Sequence, residues 1–401
     1  MPPESSARSG PWGSRTQGST LPRAQAAAAP TTQSFTCSQC GAVLTYTPGT
    51  TTLACSYCGH VNTIVEPPVA IVEHALEPEL LHGADVAPAP VTATTKCASC
   101  GADFSLPPDR HAGACPSCGT PVVLDPGAYR PIAPHAVLPF LVGAQEARRL
   151  LGEWLKGLWF APSGLAREVR GPSRLEGVYL PYWTFDSRTS TRYAGRRGDV
   201  YYETHYVEEI VDGRRVRRAV QVPKIHWTPV MGAVARDFDD VLVLAGESLP
   251  RALVEPLEPW DLDGLKPYTP DYLSGFSAEL YRLPLAQGFE QAKLLMQAVI
   301  QDDIRRDIGG DQQIIERMEV DYDAPTFKQV LLPVWHAAFR FLNRDYHFVV
   351  NGRTGEVHGE RPWSWWKIAG AALLGFVVLL LLALLFSQSP ALQQALRELA
   401  R

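Results

Sequence analysis

The sequence predicts an α+β chain with two small cysteine-built ribbons, a duplicated helix-plus-antiparallel-sheet body and one apolar C-terminal helix. Three observations carry that expectation. Eight cysteines form two identical quartets, a V-x-L-P-x-W segment occurs twice with an amphipathic helix before each copy, and an unbroken apolar run lies near the C-terminus.

The cysteines come first in chain order, as Cys37/Cys40, Cys55/Cys58, Cys97/Cys100 and Cys115/Cys118. Each quartet reads C-x2-C-x14-C-x2-C, and the second repeats the first at an offset of 60 residues. A two-residue gap lets both thiolates of a knuckle meet one ion. Two knuckles then complete a tetrahedral sulfur site of the kind Zn²⁺ takes. A glycine follows every second pair member, at Gly41, Gly59, Gly101 and Gly119, as a turn with positive φ requires. Four thiolates close the coordination sphere, so two structural zinc ions are expected. Each supplies roughly 10–16 kcal/mol of metal-linked folding free energy to a unit with little core of its own. Redox CxxC pairs belong in a βαβ context and disulfides in an exported chain, and the sequence offers neither context. With the quartets complete, His60 and His111 are expected on the surface.

Charge bears on what such ribbons bind. No Lys, Arg, Asp or Glu lies between Thr31 and Val65, and only Lys96, Asp103, Asp109 and Arg110 lie between Val91 and Leu124. The chain holds 37 Lys+Arg against 42 Asp+Glu, a net charge of −5, which two tetrathiolate zinc centres move to about −9. Phosphate recognition draws on clustered cations. A protein partner or structural capping is therefore favoured over nucleic acid for the ribbons.

The body follows from about Tyr129. Ala147, Leu150, Leu151, Trp154, Leu155, Leu158 and Trp159 recur at helical spacing, as do Phe289, Ala292, Leu295, Met296, Val299, Ile300, Ile304 and Ile308. Leu138-Pro139 and Leu283-Pro284 lead into the two helices, and Val178 to Trp183 and Val330 to Trp335 follow them. This pattern predicts an internal duplication. Strands are expected at Tyr201 to Val211 and Arg214 to Trp227 around an Asp212-Gly213 turn, and at Tyr346 to Val350 and Glu356 to His358.

Ile368 to Phe386 is a 19-residue run free of charge, preceded by Trp363, Trp365, Trp366 and Lys367. At 1.5 Å per residue it spans roughly 28 Å, close to the hydrocarbon thickness of a bilayer. An aromatic belt with a basic anchor is the flank such a span uses. The upstream basic residues, and thiolate sites that need a reducing compartment, predict a single-pass protein of the cell (inner) membrane with a large cytosolic N-terminal part. The expected domains are a disordered stretch at 1–33, zinc ribbons at 34–65 and 96–125 joined by a Pro/Ala-rich linker at 66–95 that keeps them as separate beads, the α+β body at 129–362, the transmembrane helix at 368–386 and a short distal tail at 387–401.

Catalytic patterns are missing from the sequence: there is no phosphate loop, no G-x-G-x-x-G, no G-x-S-x-G and no H-E-x-x-H. The groups Asp237/Asp239/Asp240, Asp261/Asp263, Asp302/Asp303 and Asp321/Asp323 are read as solvated surface. His205, His226, His336, His347 and His358 are read as satisfied or exposed strand residues. Arg214, Arg215, Arg217 and Arg218 form a basic stretch. Alternation splits it between two faces, with a charged edge, anionic lipid or nucleic acid as readings.

Leu180 to Asp186, Asn351 to Val357 and Gly359 to Lys367 together resemble a family of uncharacterised bacterial membrane proteins with N-terminal zinc ribbons, from about Cys97 through Phe386. Members often carry the label primosomal protein N′ or superfamily II helicase. The resemblance implies architecture rather than chemistry, because the phosphate-loop Lys and Asp-Glu pair of such a helicase are missing. The expectation is a non-catalytic, membrane-anchored platform that meets the lipid bilayer and a protein partner. A membrane-tethered nucleic-acid-associated factor without its own motor is the alternative.

Overall fold

A computed structural model describes residues 32–33, 35–68, 70–77, 94–158, 175–211, 214–341, 344–360 and 364–388. The expected disorder at 1–31, linker residues 78–93, Trp159, the Asp212-Gly213 turn, Arg361 to Trp363 and the tail beyond Gln388 lie outside the described residues.

The frame is a 12-stranded mixed sheet built on very long strands. The central strand, Leu175–Val211, is 37 residues long; it is continuously buried from Gly177 to Phe185 and alternates from there to Gly195. Ser187, Thr189, Thr191 and Tyr193 are buried, while Arg188, Ser190 and Arg192 are exposed, the period of two that a sheet with one covered face demands. Arg214–Leu244 pairs on one side of it and Gln312–Phe341 on the other, both antiparallel. Bulges at Phe185/Ser187, Asp186/Arg188 and Ala194/Gly195 bend the ribbon around its cover. That cover is the helix Leu285–Ile308. It seats Phe289, Ala292, Met296, Ile300, Ile304 and Ile308 against the buried row, whereas Leu295 and Val299, counted as apolar-face residues from spacing alone, are exposed.

The duplication is visible as a twofold relation. Val178-x-Leu-Pro-x-Trp183 and Val330-x-Leu-Pro-x-Trp335 run antiparallel, and the equivalent leucines Leu180 and Leu332 sit directly opposite one another. Each copy's lead-in strand crosses to the other copy: Ala136–Val137 pairs parallel with Val330 and Leu331, and Ser277–Glu279 pairs parallel with Val178 and Tyr179. The hairpins that follow are also equivalent in position, with Tyr182 opposite Leu244 and Val334 opposite Asn351. The first is extended into the long ribbon and the second is short. The first helix, Ala144–Gly157, buries Ala147, Leu151 and Leu155.

The ribbons are not separate beads. Thr32–Gln33, placed by composition in the N-terminal disordered stretch, pairs with Val123 and Leu124 of the second ribbon. Arg110–Ala114 joins the body sheet beside Ser277–Glu279. His74 and Ala75, from the expected linker, pair with Phe327 and Thr326. Phe35, Leu44, Tyr46, Leu53 and Ile64 of the first ribbon share one core with Phe140, Tyr179, Phe276 and Trp335. The reason is apolar surface: a tetrathiolate knuckle buries little by itself, and these side chains have only the body to cover them.

The apolar run lies inside the helix Trp365–Gln388. Its Trp365–Leu384 stretch is long and apolar enough to cross a membrane, and no part of it is buried against the rest of the protein.

Candidate metal centres

Each knuckle is built the same way. The amide of the first cysteine donates to the carbonyl five residues on, as in Cys37 to Ala42 at 2.8 Å, Cys55 to His60 at 2.9 Å, Cys97 to Ala102 at 2.9 Å and Cys115 to Thr120 at 2.9 Å. The glycine after the second cysteine turns back, Gly41 donating to Cys37 and Gly119 to Cys115. Gly41, Gly59, Gly101 and Gly119 have φ between +72° and +75°, a region an L side chain rarely occupies. This is the turn the C-x2-C-G spacing predicts.

The quartets converge. Sulfur separations are 3.7 Å for Cys37–Cys58, 3.6 Å for Cys40–Cys55, 3.7 Å for Cys97–Cys118 and 3.8 Å for Cys100–Cys115. Disulfide sulfurs stand about 2.05 Å apart, so these are thiols. A tetrahedron with ~2.3 Å metal–sulfur bonds has edges of ~3.8 Å. Cys37, Cys55, Cys97 and Cys115 are buried and their partners exposed, so each centre lies half sunk at the surface. Both groups can hold a metal ion, consistent with two structural zinc ions.

The surroundings favour thiolate at Cys37, Cys55 and Cys118 and oppose it at Cys40, Cys58 and Cys100. At Cys118 the Thr120 hydroxyl, 3.1 Å away, and the Thr120 amide hold the thiol down to about 6. At Cys37 burial acts upward, but the Cys40 and Gln39 amides and the Asn62 side chain outweigh it and bring the thiol to about 6. Asn62 is itself fixed, its Oδ1 accepting from the Ser38 amide and hydroxyl at 2.9 Å. At Cys100 the Ala102 amide pulls down, yet the crowding by Cys118, Cys97 and Cys115 together with burial pushes the thiol up to about 12. Four thiolates at this spacing need a cation among them.

His111 is not at the surface. It is fully buried on the strand before Cys115, and neither ring nitrogen has a hydrogen-bond partner. Burial and the nearby Arg130 push it down to about 3. Spacing carried no sign of this.

The acidic groups divide. Asp303 is held by Arg236 at 2.5 Å and by Arg306, and Asp261 by Arg353 at 2.7 Å. Asp239, however, gathers with Glu73 and Asp186, all within 4.8 Å of one another. Lys328, only 8% exposed in its side chain, bridges the group to Asp240, at 2.9 Å from Glu73 and 2.8 Å from Asp240. Burial and Glu73 raise Asp186 to about 6, while Asp186 and Lys328 lower Glu73. No spacing or motif marks this cluster, whose members come from the linker and two strands of the ribbon. Among the histidines, His336 and His347 pair, Nε2 to Nδ1 at 3.1 Å.

The basic stretch is balanced by its own hairpin. Arg218 meets Glu209 at 4.0 Å, Arg217 faces Glu208 across the strands and lies 4.4 Å over the Tyr206 ring, and Lys224 pairs with Glu203.

The chain is similar to the uncharacterized protein YdjG of Bacillus subtilis (strain 168), 27% identical over 241 residues, which is 59% of this chain and 66% of YdjG. The match thus spans slightly under two thirds of that relative's length. No family model matches the chain, and no solved structure does.

Proposed function

We propose that the chain is a non-catalytic, membrane-anchored interaction platform, with two structural zinc ions and a body held at the cytosolic membrane face. One observation supports it above the others: both four-cysteine groups are coordinatively complete and both are built into the body, the second ribbon through strands of the body's own sheet and the first through a shared apolar core. Such centres have no open position for substrate. They fasten the outer strands of a scaffold whose last strand, Val357–Gly359, leads within a few residues to the apolar helix.

Membrane fractionation tests this directly. The full chain is expected to resist carbonate extraction, with the zinc-bearing body digested by protease added from the cytosolic side only. A soluble chain, or a body protected on that side, contradicts the reading. So does ATP hydrolysis by the purified protein that one point substitution abolishes. Titration with DNA and RNA at ~50 mM salt is expected to show no binding, and a steep salt-dependent affinity argues instead for nucleic-acid association.

A further inference from the structure

The return strand Gln312–Phe341 accompanies the central strand only as far as Gly198, opposite Gln312. There Asp311 closes the edge, its amide donating to the Gly198 carbonyl at 2.9 Å and its Oδ2 accepting from the Val200 amide at 2.7 Å. Beyond this point the hairpin projects as a two-stranded ribbon with solvent on both faces, the adjacent Tyr201 and Tyr202 being 43% and 66% exposed.

Its two edges differ. On the Arg214–Leu244 strand, Pro223 stands opposite Tyr202 and Pro229 opposite Arg196. Proline has no N–H, so these are non-hydrogen-bonded pairs, and both prolines blunt the outer edge against a further strand. By the same parity, the backbone groups of Tyr202, Thr204, Tyr206 and Glu208 point away from the hairpin toward the other edge, as Val200 and Gly198 already do toward Asp311. That edge has no proline from Asp199 to Val211 and no partner strand among the described residues. One edge is protected and the other left open.

We propose that the open edge pairs antiparallel with the same edge of a second copy of this chain, about a twofold axis at His205. Charge favours this register over its two neighbours. Centred on His205, Glu203 faces Val207 of the second copy and Glu208 faces Tyr202 of the second copy. Moving the centre to Tyr206 sets Glu203 against Glu209 of the second copy, and moving it to Thr204 sets Asp199 against Glu209 of the second copy; facing like charges are destabilising. Between Asp199 and His226 the sequence carries five acidic and five basic residues, a balance suited to self-association and not to a polyanion. Tyr202, Thr204, Tyr206 and Glu208 exchange backbone hydrogen bonds, and the two hairpins form one four-stranded sheet.

Cysteine pairing in the full chain in membranes tests the register, with the unsubstituted protein as control for its own eight cysteines. At the axis the two copies of residue 205 form a non-hydrogen-bonded pair with Cα atoms ~4.5 Å apart, within disulfide range. His205→Cys is expected to give a covalent dimer under mild oxidation, while Glu203→Cys and Val207→Cys each stay monomeric alone and form a heterodimer when co-expressed. Thr204→Pro removes an outward N–H and no backbone bond of the hairpin, losing only the exposed hydroxyl that accepts from Gln221 Nε2 at 3.1 Å, and it should cut the His205→Cys dimer at least ~10-fold with zinc content unchanged. Equal crosslinking at all three positions, a monomeric His205→Cys chain, or an adduct with a different protein overturns the proposal. If Thr204→Pro loses zinc, the co-expressed Glu203→Cys and Val207→Cys pair decides alone.

Discussion

The indole of Trp183 donates to the Leu283 carbonyl at 3.0 Å, and its repeat equivalent Trp335 donates to the Val142 carbonyl at 2.8 Å. Each tryptophan thus fastens the lead-in of the other copy's helix. Gly288 makes room for the first: a Cβ there would stand 2.9 Å from Trp183 Cδ1. The exchange explains why the two copies form one body, since neither helix is docked by its own repeat alone.

Trp183→Phe and Trp335→Phe should each destabilise the body by about 1 kcal/mol or more, because a partly buried carbonyl loses its donor. Denaturant unfolding of both single variants and the double variant checks this. Coupling is expected to be small, since the two hydrogen bonds sit on opposite sides of the pseudo-twofold axis and share no partner.

Replacing Cys115 with Ser should leave one zinc per chain, and replacing Cys37 should do the same by emptying the other centre. The consequences differ in place. Cys115 follows the strand Arg110–Ala114 that pairs with Ser277–Glu279, so its loss frees the sheet edge, whereas loss of Cys37 uncovers Phe140 and Tyr179. Metal analysis with limited proteolysis reads both; retention of two zinc ions by either variant contradicts the assignment.

His111→Leu should be neutral or stabilising at pH 7, because two unpartnered buried nitrogens are replaced by a side chain that needs no partner. The histidine is depressed from 6.5 to about 3 in the fold. Its neutral form is the folded one, so its stability is complete above 6.5 and is lost as pH falls toward 3. Wild type should therefore lose about 1 kcal/mol per pH unit more than the variant below pH 6.5. Protonation of the zinc ligands is common to both proteins and cancels.

Asp186 is shifted the other way, up from 3.8 to about 6 by burial and Glu73. A raised carboxyl contributes stability below 3.8 that is lost as pH rises through 6. Asp186→Asn, which keeps an acceptor for the Asp240 amide now 2.6 Å away, should flatten that dependence. The gain at pH 7 relative to pH 4 is on the order of 1 kcal/mol after solvent screening. Thermal unfolding across this window measures it.

The cysteine quartets, the repeated V-x-L-P-x-W segments and the apolar helix were legible in sequence because each is a local pattern with a fixed period or spacing. Even the positive φ of Gly41 and Gly119 follows from position alone. What escaped is non-local. Gln312 to Gln329 extends the return strand by pairing with the central strand, and its mixed apolar and charged run has no period that announces it. Leu295 and Val299 share a helical spacing with Met296 and Ile300, but only the curvature of the sheet decides which row is covered. The burial of His111 and the meeting of Glu73, Asp186 and Asp239 depend on which strands become neighbours, and the docking of the ribbons depends on apolar surface too small to cover itself.

The proposed function rests on both quartets being closed zinc centres built into the body. Zinc-edge X-ray absorption on the full chain, with metal quantification on the same sample, is the decisive measurement. The expected result is two zinc ions per chain, each with four sulfurs at ~2.3 Å and no oxygen or nitrogen in the coordination sphere. Fewer than two ions, or a light-atom ligand in place of a sulfur, would contradict it.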